Sequence, residues 1–143
     1  MNNYEFIITN HLRERFVERF TENRKLYSHL RNCSGCPKCV SLTFKLQKEV
    51  REKGRFLDKV ICAKLHDAKE VRIHHNNAEY MEFMVKKYGD RKFQFLVNED
   101  ILFVVVIAEK GKVVVTCENA KKSVLGDFVR RPKFKKRVKD FTI

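Results

Sequence analysis

The apolar run Ile101 to Ala108, ILFVVVIA, limits what this chain can become more than any other stretch. It is too short for a typical helix and rich in β-branched residues, and it has no polar side for a helix to turn to water. It reads as a strand covered on both faces, and therefore as the centre of a sheet. Tight links bound it, Asn98-Glu99-Asp100 before and Glu109-Lys110-Gly111-Lys112 after. Links this short join antiparallel neighbours, because a parallel neighbour needs a crossover of a dozen or more residues. The neighbours are then Phe93–Val97, which alternates, and Val113–Cys117. Val71–His75 and Tyr80–Val85 read as two further strands, the second joined to Phe93–Val97 through Tyr88-Gly89-Asp90-Arg91. The second half of the chain is expected to be an antiparallel meander.

The first half has a different period. Tyr4–Thr9 alternates weakly and is either a first edge strand or an ordered lead-in, with Thr9 or Asn10 as the N-cap of a helix. From His11 to about Leu30, the residues Leu12, Phe16, Phe20, Tyr27 and Leu30 stay on one side at 100° per residue, so a long amphipathic helix is expected. Asn32–Lys38, with Gly35 and Pro37, reads as a turn. Val40–Val50, ending before Gly54, is a second helix, although Val40 to Leu46 also alternates like a strand; Phe56–Leu65 is a short helix or strand. Helices first and a meander afterwards make an α+β fold, one domain over residues 1–143 with 121–143 as a basic C-terminal extension.

Charge narrows the choice of partners. Lys and Arg number 31 against 18 Asp and Glu, a formal net charge of +13, so a broad positive field attracts RNA, DNA, acidic proteins or an anionic surface. With 43% hydrophobic residues the chain has enough apolar material for a core, yet no run is long enough to span a bilayer, so membrane insertion is not expected. Five cysteines give no tidy disulfide framework, which fits a cytoplasmic protein, including one delivered from another cell by a larger carrier. In the extension, Arg130, Arg131, Lys133, Lys135, Lys136, Arg137 and Lys139 are interleaved with Phe128, Phe134, Val138 and Phe141. Either these aromatics pack a basic tail or the cations contact nucleic acid.

Two constellations carry chemistry. His11, Arg15 and Arg19 recur at four-residue steps and form one oblique column on a helix, a proton-transfer group beside two guanidiniums suited to phosphate. Metal-free RNA cleavage needs a base for the 2′-hydroxyl, an acid for the leaving oxygen and cations around the phosphorane. His11 is the natural base or acid, and Glu118 is the leading second group, ahead of His75, Glu79 and Tyr80. The plainer alternative is that Arg15 and Arg19 pair with Glu14, Glu18 or Glu22 across helical turns. The second constellation is Cys33-Ser34-Gly35-Cys36-Pro37-Lys38-Cys39. Its Cys-x2-Cys spacing suits a structural zinc, with His29 or the distant Cys62 as fourth ligand; unliganded thiols suit it too. His74-His75 would point to opposite faces of a strand, and Phe93 with Phe95 is either core or a stacking surface.

The opening ITNHLRERFVERF resembles the start of small proteins in the barnase/RelE/colicin ribonuclease group, particularly phage-encoded and toxin-like members whose first helix carries His-x3-Arg-x3-Arg. Val113-Val114-Val115-Thr116-Cys117 resembles their terminal strand VVTVY, with Cys117 in place of the aromatic. The resemblance implies helices packed on a four- or five-stranded antiparallel sheet, metal-independent RNA cleavage with no cofactor, and an immunity or antitoxin protein as partner. By position it gives roles to His11, Arg15 and Arg19 on the helix and to the Thr116 hydroxyl on the strand. The expected function is thus a metal-independent endoribonuclease or ribonuclease-like toxin acting on RNA. The alternatives are a non-catalytic nucleic-acid-binding module, zinc-stabilised or not, and a protein-interaction domain.

Overall fold

The computed structural model describes residues 6–33, 35–71 and 78–120. The His74-His75 pair, the Glu79 side chain and the basic extension 121–143 lie outside the described residues. The chain runs β1 (Phe6–Ile8), α1 (Asn10–Phe20), α2 (His29–Asn32), α3 (Pro37–His66), β2 (Lys69–Val71), α4 (Ala78–Tyr88), β3 (Lys92–Asn98), β4 (Ile101–Ala108) and β5 (Gly111–Asn119). The sheet order is β1-β5-β4-β3-β2, an α+β arrangement with β4 in the middle.

β4 is central for the reason its composition suggested. Ile101, Phe103 and Val105 join the core under α1 and α3, while Leu102 and Val104 join a second core with Met84 of α4. With both faces dry, no polar alternation survives. Two-residue turns link it to its neighbours, Asn98 pairing with Ile101 and Ala108 with Gly111. Glu99 at the first turn takes φ 53°, a left-handed conformation that few residues other than glycine adopt. The sheet is mixed rather than a pure antiparallel meander, because β1 lies parallel to β5, Phe6 beside Lys112 and Ile8 beside Val114. The crossover from β1 back to β5 contains the rest of the domain.

Three elements depart from expectation. α1 stops at Phe20, where Thr21 turns extended and its hydroxyl donates to the Val17 carbonyl at 2.8 Å, diverting the backbone from the helix. Short turns over residues 21–28 keep an approximately helical spacing, so Tyr27 is still fully buried and its O–H donates to Glu49 of α3 at 2.6 Å. Asn23 and Lys53 hold the other Glu49 oxygen at 2.8 and 2.9 Å. The Tyr27 and Lys53 bonds hold the Glu49 carboxyl below its usual range despite its burial.

α3 is one helix of 30 residues, where two shorter pieces were expected. Its buried stripe is Cys39, Leu42, Leu46, Val50, Leu57, Ile61 and Leu65. The strand-like alternation came from Val40 and Phe44, which point to solvent at 51% and 68% exposure. Gly54 does not end the helix, and a Cβ there would meet no atom within 4 Å. Gly54→Ala should therefore stabilise the protein by about 0.5–1 kcal/mol, seen as a higher denaturation midpoint. An unchanged or lower midpoint would mean the helix is not continuous in solution.

Tyr80–Val85, expected as a strand, lies within α4. Tyr80, Met81, Met84 and Tyr88 form its inward stripe against Phe93 and Phe95, while Phe83 and Val85 fill the outer side. Gly89 ends it with φ 89°, donating its N–H to the Val85 carbonyl at 2.7 Å. Phe93 and Phe95 are thus core residues, stacked on each other with centroids 6.3 Å apart beneath α4. Helices cover both faces of the sheet.

Candidate metal centre

α1 is anchored before the cysteines arrive. Thr9 caps it by accepting from Leu12 N–H at 3.1 Å and donates its own hydroxyl to the Val114 carbonyl at 3.0 Å, tying the helix start to β5. Arg13 then forks onto Asp58 of α3 at 2.7 and 3.0 Å. Between these helices the chain turns through α2 and reverses at Gly35, whose φ of 86° suits glycine. Cys36 is the N-cap of α3, its sulfur accepting from the Cys39 N–H at 3.3 Å, and Pro37 takes the first helical position. The same turn lays α2 against the start of α3.

The result is a cluster of His29, Cys33, Cys36 and Cys39 whose ligand atoms all lie within 4.8 Å of one another. His29 Nε2 is 3.2 Å from Cys36 Sγ, and the Cys36 and Cys39 sulfurs are 3.4 Å apart. A tetrahedral zinc with Zn–S near 2.3 Å sets its ligand atoms roughly 3.5–3.8 Å apart. Size and donor chemistry both fit. His29 and the Cys39 backbone N–H pull the Cys36 thiol down to about 6, while hydrogen bonds to Cys39 and Cys36 push Cys33 up to about 11. Cys62 does not join them: it sits far along α3 near Asp58 and Arg13, and burial raises its thiol. His29, not Cys62, stands where a fourth ligand would be needed.

No family model, curated protein or solved structure matches the chain.

Two members of the His11 column, Arg15 and Arg19, have partners within the protein. Glu18, only 1% exposed, is ion-paired to Arg15 and lies 3.7 Å from Arg19 Nε. β1 ends at Ile8, so among the described residues β5 beyond Val114 has no strand on that side, and Arg19 lies along this edge, donating to the Cys117 carbonyl at 2.9 Å. Thr116 is buried in β5, and Glu118 accepts the Tyr80 O–H at 2.6 Å. Burial raises the Tyr80 and Tyr88 hydroxyls, with Glu118 adding to both. His11 is half-buried and held below its ordinary range, first by desolvation and then by Arg15, Lys87 and Arg19. Its proton affinity is low and its neighbours are cations.

The expectation of a metal-independent endoribonuclease or ribonuclease-like toxin is corrected by this arrangement. The constellation that assembles with ligand atoms converging is the histidine-cysteine set of a metal site. Arg15 and Arg19 neutralise a buried glutamate, the plainer of the two roles their spacing allowed. Sequence reasoning found the cysteines but missed the outer face of α3, where Lys45, Lys48, Arg51, Arg55 and Lys59 are all exposed. Reading α3 as one helix would have shown it.

Proposed function

We propose that the protein is a zinc-stabilised nucleic-acid-binding module that holds its partner through the outer face of α3. The observation that carries this reading is the cationic side of that helix. At 100° per residue, Lys45, Lys48, Arg55 and Lys59 fall within about 80° of one another, with Arg51 beside them. The helix is about 45 Å long at 1.5 Å per residue, a rod able to track a phosphate backbone. Glu52 interrupts the stripe without reversing its sign. The metal cluster clamps one end of this rod and the Arg13–Asp58 and Glu49 contacts brace its middle, so the charges are presented on a fixed frame. Among the described residues no helix is long and apolar enough to cross a membrane.

Binding through phosphates releases counterions, so affinity for RNA or DNA should fall steeply with salt. Neutralising Lys48, Arg55 and Lys59 together should lower the slope of log K against log salt by about 2–3 while the nucleic acid stays intact. Titration of the zinc-loaded protein against labelled oligonucleotides measures both. Salt-insensitive or absent binding, with association instead to an acidic protein, would replace this reading with a protein-interaction domain.

A further inference from the structure

α3 carries two exposed aromatic rings. Phe44 is 68% and Phe56 69% exposed. They are twelve positions apart, about 18 Å along the axis, and at 100° per residue they flank the cationic stripe on opposite sides. Phe44 also lines a cleft of about 510 Å³ between α1, α2 and the start of α3, which Arg15, Thr43 and Gln47 furnish with polar groups and Leu30 and Val40 with apolar ones. Glu14 lies in the same cleft, and its carboxylate suits the amino edge of a base better than a phosphate.

We propose that the α3 face takes single-stranded nucleic acid, with an unpaired base stacking on Phe44 at the cleft, a second on Phe56, and the phosphates running along the lysines and arginines between them. This rests on the nucleic-acid-binding reading and narrows it. In a duplex the base faces are stacked on one another, so neither ring has a partner there and only the backbone cations act. An aromatic face accepts every base, which gives affinity with little sequence preference. Charge selects this occupant over a second copy, which would bring cations to cations.

The test is fluorescence anisotropy on the full zinc-loaded chain, using labelled single-stranded RNA, single-stranded DNA and the duplex of the same sequence over a range of salt. The single strands should bind more tightly than the duplex. Phe44→Ala and Phe56→Ala should each weaken single-strand binding about tenfold while leaving duplex affinity and the salt slope as they were. Because both rings face solvent, the variants should keep the parent melting temperature, which separates lost stacking from lost fold. Lys48→Ala should instead weaken single strand and duplex alike. Equal affinity for both forms, or no loss in the phenylalanine variants, overturns the single-strand inference and leaves the broader reading standing. Absence of salt-dependent binding to any of the probes overturns both. RNA preferred over DNA would add recognition of the 2′-hydroxyl, and equal affinity would mean that stacking and charge suffice; either accords with the proposal.

Discussion

Removing zinc, or replacing Cys36 with serine, should lower the melting temperature by roughly 10–20 °C. Structural zinc sites in small peptides are worth on the order of 10–16 kcal/mol of apparent binding free energy. Most of the two cores is built from residues outside the cluster, so only part of that is expected to appear as stability of the whole chain. What appears as stability depends on free metal, about 4 kcal/mol when zinc is at 1,000 times its Kd. A few degrees per kcal/mol, the scale for a chain of this size, converts that into the expected shift. Cys36 is expected to be the most sensitive position because it is a candidate ligand, the N-cap of α3 and a sulfur 3.2 Å from His29 Nε2. Thermal melts with and without a chelator, repeated on Cys36→Ser, check this. Cys62→Ser is the control, and its chelator response should match the parent's.

Glu18→Ala should cost about 2–3 kcal/mol. Breaking a fully buried pair by removing one partner costs about 3–5 kcal/mol, since the charge left behind loses its counter-charge. The figure is discounted because the Arg15 and Arg19 side chains are each 28% exposed and can turn partly toward water. Arg19 is the constrained one: its Nε is buried with no hydrogen-bond partner among the described residues, while its other end donates to the Cys117 carbonyl at the edge of β5. Glu18→Gln should cost less, since an amide oxygen can still accept from Arg15. Denaturant unfolding of the two variants gives the order. A loss below about 0.5 kcal/mol for the alanine variant would place the arginines in water and reopen the question of what they bind.

What could be read in the sequence divides along physical lines. β4 and its hairpins were legible because burial on both faces and two-residue turns are local properties of Ile101–Ala108 and its flanks. α4 was misread as a strand because residue type does not reveal which apolar groups are buried. Tyr80, Met81, Met84 and Tyr88 have helical spacing, but the outward Phe83 and Val85 completed an unbroken apolar run. Val40 and Phe44 misled in the same way on α3. The parallel pairing of β1 with β5 joins residues more than a hundred positions apart and has no local signal. In the metal cluster the cysteine spacing was visible, while the choice of His29 over Cys62 depended on the reversal at Gly35 that returns α2 to the start of α3. The His-x3-Arg-x3-Arg column was equally visible, and so was Glu18 within it. Only burial decides that the carboxylate claims the arginines.

X-ray absorption at the zinc edge, on protein purified with zinc and freed of loosely held metal, tests the central claim most directly. One zinc per chain is expected, with three sulfurs near 2.3 Å and one nitrogen at about 2.0–2.1 Å, the nitrogen lost in His29→Ala. A chain that retains no zinc, or a shell that changes in Cys62→Ser but not in His29→Ala, would contradict the account.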